Sequence, residues 1–246
     1  RVVGLSGSSM TNYRVIRASD SQDLARQACQ AIAVQIALTL DQRDRCQIAL
    51  SGGSTPSKAY ALLGQEHLPW DRVDVVLGDE RWVSANDDSS NALMLRRTLL
   101  AEGPASGAAF HPVPTVELEN AEASAVAMAD LVSRLCPANP PIFDVMLLGL
   151  GDDGHTASLF PGTEAPGVTD HWATVGRGKG LDRITLTAPV LSAARQVIFL
   201  VSGANKQEAL RRLLDSTESS ERTPARLVQP ASDVLIIADQ DATAGL

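Results

Sequence analysis

Short apolar runs alternate with amphipathic segments along most of the chain. The runs are rich in aliphatic and β-branched residues, a composition typical of strands buried on both faces of a parallel sheet. Residues 13–18 alternate more weakly and predict an edge strand, and residues 172–175 and 184–187 are two further strand candidates. The clearest runs lie at residues 46–50, 73–77, 143–148, 197–201 and 234–238.

Apolar residues at helical spacing separate these runs. After Asp20, a good N-cap residue, every fourth position is apolar as far as Leu40, which predicts the first helix. Pro56 suits the first turn of a second helix, and a further helix is expected to begin after His155. Residues 103–114, rich in glycine and proline, are expected to be a connection. Other helices are predicted at residues 90–100, 121–135 and 206–214.

This alternation predicts an α/β fold with a mainly parallel, Rossmann-like sheet, helices on both faces and room for a small subdomain. The chain has 246 residues, which suits one such domain, expected to span residues 10–246. Residues 1–9 are rich in glycine and serine and lack the apolar centre of a signal peptide. They are therefore expected to be an expression-derived tail ahead of a natural start at Met10.

The charge balance excludes several classes of partner. A formal net charge of −8, without a cluster of lysines and arginines, argues against nucleic acid, so any anionic substrate would be held by a few local basic groups.

No apolar stretch approaches the ~20 residues of a membrane helix, and no membrane partner is expected. Cys29, Cys46 and Cys136 lack C-x-x-C spacing and predict buried, reduced thiols, which fits a cytoplasmic protein.

The most informative segment is residues 149–162, directly after the predicted strand at 143–148. Three glycines in its first six residues allow a sharp turn, which carries Asp152 and Asp153 followed by His155. An acid and a histidine at the carboxyl end of a strand are typical of sites in open α/β sheets. A helix-capping turn is the structural alternative, but it does not account for the imidazole.

The loop at residues 51–56 also follows a strand and precedes a predicted helix. Backbone amides at a glycine-rich helix start suit phosphate binding, although this loop lacks the G-K-[ST] of a P-loop. A simple capped turn fits the same residues equally well. The candidate phosphate-binding residues are Ser51, Gly52, Gly53, Ser54 and Thr55.

Two further strand ends carry basic residues. Arg81 suits a bidentate contact with phosphate or carboxylate, or stabilisation of developing negative charge; an ion pair with Asp79 or Glu80 is the structural alternative. Lys206 lies at a predicted helix start, where the macrodipole favours anions, so a bound anion would explain a cation there. Arg183, just before a predicted strand, is a weaker candidate for the same role.

No metal site and no cofactor are predicted. His155 has no neighbour at ligand spacing, and His67, His111 and His171 show no such spacing among themselves. The chain also lacks a G-x-S-x-G nucleophile elbow. An imidazole beside a carboxylate is then best suited to general acid/base chemistry with water.

Taken in order, five segments resemble the 6-phosphogluconolactonase family, a close relative of glucosamine-6-phosphate deaminase that shares its fold with ribose-5-phosphate isomerase. The resemblance extends over roughly residues 13–239, and the segment at 149–162 is the most specific. The segments are LSGGSTP at 50–56, GDERWV at 78–83, GLGDDGHTASLFPG at 149–162, RITLT at 183–187 and SGANK at 202–206.

The resemblance implies hydrolysis of 6-phosphoglucono-1,5-lactone to 6-phosphogluconate in the oxidative pentose phosphate pathway. It implies that His155 is the general base that activates water and later returns the proton to the ring oxygen. Asp153 would orient the imidazole, and Arg81 or backbone amides would stabilise the oxyanion.

The same resemblance places the substrate's phosphate among the amides of residues 52–55, Lys206 and Arg183. Asp79 is a further candidate for substrate binding, because it matches the position of a catalytic base in the deaminase. The expected partner is a phosphosugar lactone bound by a monomer or a weak homodimer. Whether residues 176–180 close over the substrate is left open.

Two alternatives remain. The deaminase loop resembles D-G-H-I-A-F-N-E-P, in which a glutamate helps to open the sugar ring; Phe160 stands at that position here and cannot transfer a proton. A non-catalytic sugar-phosphate sensor would need a DNA-binding or partner module, for which the residues before the first strand are expected to be too few. Hydrolysis needs only one base and water, which favours the lactonase.

Overall fold

The computed structural model describes residues 11–246, and two sheets organise that part of the chain. The larger has seven parallel strands in the order β1-β10-β9-β6-β2-β3-β5, and the smaller has three antiparallel strands in the order β4-β8-β7. In chain order the strands are β1 (Tyr13–Ala18), β2 (Cys46–Leu50), β3 (Val73–Leu77), β4 (Asp79–Arg81), β5 (Ala109–Phe110), β6 (Val145–Gly149), β7 (Ala173–Gly178), β8 (Leu181–Leu186), β9 (Gln196–Val201) and β10 (Val234–Asp239).

Helices cover both faces of the large sheet. The first three pack on one face, and the fourth to sixth pack on the other face together with the small sheet. The predicted α/β fold with a mainly parallel, Rossmann-like sheet is therefore confirmed, and the three-stranded sheet shares the core layer of the fourth to sixth helices. The helices are α1 (Ser21–Gln42), α2 (Ser54–Leu63), α3 (Asn91–Arg97), α4 (Ala121–Leu135), α5 (Ala188–Ala193), α6 (Gln207–Leu214) and α7 (Gln240–Thr243).

Alternation along the strands divides the core between the two faces. In β2, Ile48 and Leu50 pack into the layer of α1 and α2, whereas Ala49 between them packs into the opposite layer. This follows from the period of two in a strand, which turns successive side chains to opposite faces. Because both faces are covered, β2 is buried along its whole length, with Gln47 as its one polar residue.

Several predicted boundaries hold. Asp20 caps α1 by accepting a hydrogen bond from the backbone amide of Asp23, and Pro56 lies in the first turn of α2. Strand β1 is an edge strand, because it pairs with β10 alone. The predicted tail at residues 1–9 and the proposed start at Met10 lie outside the described residues.

The prediction of a helix directly after His155 is wrong. Within the described chain, residues 156–164 form turns, and an isolated bridge joins Thr156 to Leu159. Ala157 has a φ of 47° and Gly162 a φ of 75°, both outside the right-handed helical region. The chain folds back on itself here instead of winding into a helix.

The small sheet was largely missed by the sequence pattern. The candidate strands at 172–175 and 184–187 are longer than predicted and join in a hairpin whose two turn residues, Lys179 and Gly180, both have positive φ. That is the backbone shape of the tightest hairpin turns. Strand β4 begins directly after β3, because Gly78 redirects the chain and its carbonyl accepts a hydrogen bond from the amide of Leu186 at 2.9 Å.

Smaller corrections concern two other segments. Helix α3 ends at Arg97 instead of residue 100, and the expected connection at 103–114 contains the short strand β5. Strand β5 is two residues long and pairs with β3 alone, so it adds an edge that no periodic pattern could indicate.

The carboxyl ends of β9 and β10 are joined by Asp239. Its carboxylate accepts hydrogen bonds from the Ser202 hydroxyl at 2.6 Å, the Gly203 amide at 3.2 Å and the Ala242 amide at 2.9 Å. Burial raises the pKa of Asp239, but these three donors outweigh it and hold the pKa below the ordinary value of 3.8. The loop that leads to Lys206 is thus fastened to the neighbouring strand.

We expect Asp239→Ala to lower the free energy of unfolding by about 1–2 kcal/mol, because it removes a helix cap and two loop contacts. Asp239→Asn keeps an acceptor oxygen and should lose much less, so it is the matched control. Urea unfolding at neutral pH measures both. Equal losses in the two variants would contradict this role.

The same comparison has a pH dependence. A folded-state pKa below 3.8 means that the stabilisation is present above that value and is lost as pH falls through the folded pKa. The advantage of the wild type over Asp239→Asn should therefore shrink on acidification below about pH 4.

Candidate active site

A cavity of ≈ 290 Å³ lies where the carboxyl ends of β2, β3, β6 and β9 meet the small sheet. The loops that follow neighbouring parallel strands meet at one edge of a sheet, so segments distant in the chain converge here. Among the residues that line the cavity are Ser51, Asp79, Arg81, His155, Arg183 and Lys206.

Most of the predicted site residues therefore come together. Gly52 and Gly53 also line the cavity, and Asp153 contacts Nδ1 of His155. Ser54 and Thr55 do not belong to the lining: they begin α2, where Ser54 is exposed and Thr55 is half-buried. The loop after β2 thus faces the cavity with its first three residues.

The imidazole of His155 is held by Asp153. Its Nδ1 lies 2.5 Å from Oδ1 of Asp153, and the same oxygen accepts a hydrogen bond from the His155 backbone amide at 3.0 Å. Burial raises the pKa of Asp153, but the bonds from His155 and the nearby charge of Lys179 leave it below its ordinary value. An ionised carboxylate can only accept, so in the neutral imidazole Nδ1 carries the proton and the lone pair is on Nε2.

Glycine is required beside this pair. A Cβ on Gly151 would lie 2.0 Å from Nδ1 of His155 and 2.7 Å from Oδ1 of Asp153, so any side chain there would displace the imidazole. Gly154, between the two partners, has a φ of 88°, which glycine adopts without strain. Gly151 therefore leaves space for the histidine–carboxylate contact, and Gly154 allows the turn between the two residues.

Two arginines lie side by side in the small sheet. Arg81 of β4 is directly opposite Arg183 of β8 in the antiparallel ladder, and both line the cavity. Desolvation lowers the pKa of Arg183, Arg81 lowers it further, and Asp79 partly opposes both effects. Two adjacent like charges, one of them 92% buried, are best balanced by an anion in the cavity.

Arg81 does not form the ion pair that was the structural alternative. Across residues 11–246, neither Asp79 nor Glu80 makes a salt bridge to it. Its Nη1 donates to the Ser89 carbonyl at 2.7 Å, and its buried Nε has no hydrogen-bond partner in this part of the chain. Because Arg81 lines the cavity and forms no ion pair in this part of the chain, its guanidinium is suited to bind an anionic ligand.

The two carboxylates of β4 have separate roles. Glu80 is buried and accepts hydrogen bonds from the amides of Asn91 and Ala92 at 2.8 Å, which anchors the start of α3; burial raises its pKa. Asp79 lines the cavity, and its Oδ2 accepts the hydroxyl of Ser158 at 2.6 Å. Only Asp79 of the two can therefore touch a ligand in this cavity.

The loop after β2 carries the Ser51 hydroxyl and packs closely against Asn91. The Oγ of Ser51 is buried at the cavity and has no hydrogen-bond partner among the described residues. A Cβ on Gly52 would lie 2.0 Å from Oδ1 of Asn91, so glycine is required there as well. Gly53 has a φ of 114°, which turns the chain into α2.

Asn91 is the lining residue that sequence reasoning missed. It is the first residue of α3, and its Nδ2 donates to the carbonyl of Asp79 at 3.1 Å. A serine followed by asparagine before an apolar run indicates no more than a helix start, and Ser90 is indeed the N-cap. The proximity of Asn91 to Gly52 arises from packing between loops.

The stretch at 176–180 lies outside the cavity lining. Lys179, at the hairpin turn, lies 3.8 Å from Oδ1 of Asp152 and 3.9 Å from Oδ2 of Asp153. Arg177 pairs with Glu122 at 2.8 Å on the surface. The stretch at 176–180 is therefore the end of a hairpin in contact with the histidine loop.

Other features of the chain carry less chemistry. Among residues 11–246, no three histidine, cysteine, aspartate or glutamate side chains lie close enough together to hold a metal ion. The same residues contain no helix with the length and apolarity needed to span a membrane. Cys29, Cys46 and Cys136 are free and buried, as predicted.

Known proteins resemble this chain over most of its length. The family model described as glucosamine-6-phosphate isomerases/6-phosphogluconolactonase matches residues 19–237. Among curated proteins, the 6-phosphogluconolactonase of Nostoc sp. is 40% identical over 229 residues, covering 92% of this chain and 95% of that protein. The 6-phosphogluconolactonase of Synechocystis sp. is 38% identical over 225 residues, covering 91% and 94%.

Solved structures agree. The 6-phosphogluconolactonase of Trypanosoma brucei superposes with a TM-score of 0.83 at 30% identity, covering 96% of this chain and all of that one. A monomeric glucosamine-6-phosphate deaminase, at 21% identity and a TM-score of 0.79, shares the fold. The chain belongs to the glucosamine-6-phosphate isomerase/6-phosphogluconolactonase family.

Proposed function

We propose that this protein hydrolyses 6-phosphoglucono-1,5-lactone to 6-phosphogluconate, as a cytoplasmic enzyme of the oxidative pentose phosphate pathway. The names of its curated relatives and solved neighbours support the reaction. The observation that carries the proposal is the 2.5 Å contact between Nδ1 of His155 and Asp153 at the wall of a cavity with three cationic side chains.

The phosphate end of the substrate is assigned to the basic side of the cavity. Lys206, Arg183, Ser51, Gly52 and Gly53 line that space. Backbone and hydroxyl donors next to a helix start bind phosphate without a strong overall field, which an acidic chain of net charge −8 lacks.

The lactone end is assigned to His155. Nε2 takes a proton from water as the water oxygen bonds to the lactone carbonyl carbon, which gives a tetrahedral oxyanion and an imidazolium. Arg81, which lines the cavity without an ion pair among the described residues, stabilises that oxyanion. When the intermediate collapses, the bond to the ring oxygen breaks and the imidazolium returns the proton to it, which releases the free acid.

Phe160 favours the lactonase over the deaminase. It stands where the deaminase pattern has a ring-opening glutamate, and it is only 4% exposed in contact with the imidazole of His155. A phenyl ring cannot exchange protons, so this position lacks the carboxylate that would assist opening of the sugar ring. The hydrolysis proposed here uses no cofactor, and a monomer or weak homodimer remains the expected state.

The first test is acid release from freshly prepared 6-phosphoglucono-1,5-lactone, with the spontaneous rate subtracted, in the presence and absence of EDTA. We expect catalysis that the chelator leaves unchanged.

His155→Ala should lower kcat by about 10²-fold or more, because it removes the base. His171→Ala is the matched control, since His171 pairs with Asp170 in the same way but on the surface.

Near-normal turnover by His155→Ala would reject the mechanism. Absence of acceleration by the wild type would reject the substrate, and ammonia release from glucosamine 6-phosphate would then be measured.

Asp153→Asn should lower kcat by about 10²–10⁴-fold with a small change in KM. The amide can present an N–H to Nδ1, which moves the imidazole proton to Nε2 and removes the lone pair that accepts from water. Steady-state kinetics with the same lactone measures the effect, and Asp152→Asn, next to it but without a bond to His155, is the control. An Asp153→Asn enzyme with wild-type kcat would show that the tautomer is immaterial.

Lys206→Ala should raise KM about tenfold and change kcat little, because a phosphate contact persists in the ground and transition states alike. Lys58→Ala, on the exposed face of α2, provides a control with the same loss of charge. A fall in kcat at unchanged KM would place Lys206 at the reacting end instead.

A further inference from the structure

Phe160 contacts both His155, the proposed base, and Arg183, which is proposed to bind the phosphate. Its ring centroid lies 4.5 Å from that of the His155 imidazole, with an angle of 36° between the planes. The guanidinium carbon of Arg183 lies 5.3 Å from the same ring centroid. One buried side chain therefore touches both the base and a basic residue of the cavity wall.

A third contact fixes the ring itself. A Cβ on Gly178, in strand β7, would lie 2.6–2.9 Å from three carbons of the Phe160 ring, so the glycine backbone packs directly against it. The Gly178 carbonyl also accepts a hydrogen bond from Nε of Arg183 at 3.4 Å. The backbone of Phe160 is held in turn by the Thr163 hydroxyl, which donates to its carbonyl at 2.7 Å.

An aromatic ring is a suitable partner for these two groups. Its face attracts a guanidinium and also an imidazolium, so it stabilises Arg183 at rest and His155 while it carries the proton from water. A carboxylate in the same place would neutralise Arg183. The uncharged ring leaves that positive charge available to an anionic substrate.

We propose that Phe160 is a positioning residue that holds the imidazole of His155 and the guanidinium of Arg183 at a fixed separation, with the backbone of Gly178 supporting its ring. The kinetic part of this inference rests on the proposed lactonase reaction. Since misplacement by about 1 Å can slow catalysis by about 10²-fold, loss of the ring should affect base and binding together.

Phe160→Leu should lower kcat and raise KM for 6-phosphoglucono-1,5-lactone, so that kcat/KM falls by about 10–100-fold. Phe143→Leu makes the same change at a fully buried position just before β6, and should keep both constants. In a His155→Ala background, Phe160→Leu should lose its effect on kcat and keep its effect on KM.

Gly178→Ala tests the same contact without touching Phe160. The added methyl group must displace the ring, whereas Gly107→Ala, where a Cβ meets nothing within 4 Å, is the control. We expect Gly178→Ala to reproduce the combined change in kcat and KM. If folded Phe160→Leu and Gly178→Ala enzymes both keep wild-type kcat and KM, the positioning role is wrong.

An NMR comparison of the His155 ring resonances separates this proposal from the proposed function, because it needs no turnover. Phe160→Leu should shift these resonances, because the aromatic ring in contact with the imidazole is lost, and Phe143→Leu should leave them unchanged. Unchanged His155 signals in Phe160→Leu would overturn the contact. A wild type inactive on the lactone would overturn the proposed function, and the comparison would still decide the role of Phe160.

Discussion

Parallel pairing of β9, β6, β2 and β3 is the constraint on which this site depends. Because the four strands are neighbours and run the same way, the loops that follow them emerge side by side at one edge of the sheet. Those loops carry Lys206, His155 and Ser51, and Asp79 follows β3 as the first residue of β4. Burial of the strands on both faces leaves little room for polar chemistry except at this edge.

Local charge, not overall charge, gives the cavity its character. The chain carries a formal charge of −8, yet Arg81, Arg183 and Lys206 face the same space, with Asp79 as the one carboxylate of the described lining. Cross-strand pairing in the small sheet holds Arg81 opposite Arg183 despite their repulsion. Such an arrangement is favourable for binding a multiply charged anion and unfavourable when empty.

The histidine loop combines acid/base chemistry with tight packing. Asp153 selects the imidazole tautomer, Gly151 leaves space for the pair, and Phe160 contacts the ring from the other part of the loop. Each of these contacts restricts the orientation of His155 before any substrate binds. An imidazole oriented in advance needs little reorganisation during proton transfer.

The sequence by itself determined the central sheet and the position of the chemistry along the chain. Short apolar runs locate β2, β3, β6, β9 and β10, because burial on both faces leaves a largely continuous signal. The loop with Asp153 and His155 was identifiable because a glycine-rich turn that presents a titratable pair is unusual for a simple cap.

Tertiary structure alone decided the small sheet and what it places in the cavity. Strand β4 is three polar or charged residues long and pairs with β8 more than a hundred positions later, so no local periodicity indicates it. The contacts of Asn91 with Asp79 and of Phe160 with Arg183 depend on that pairing. The helix expected after His155 fails for the same reason: packing against the hairpin stabilises a folded-back turn that local propensity does not encode.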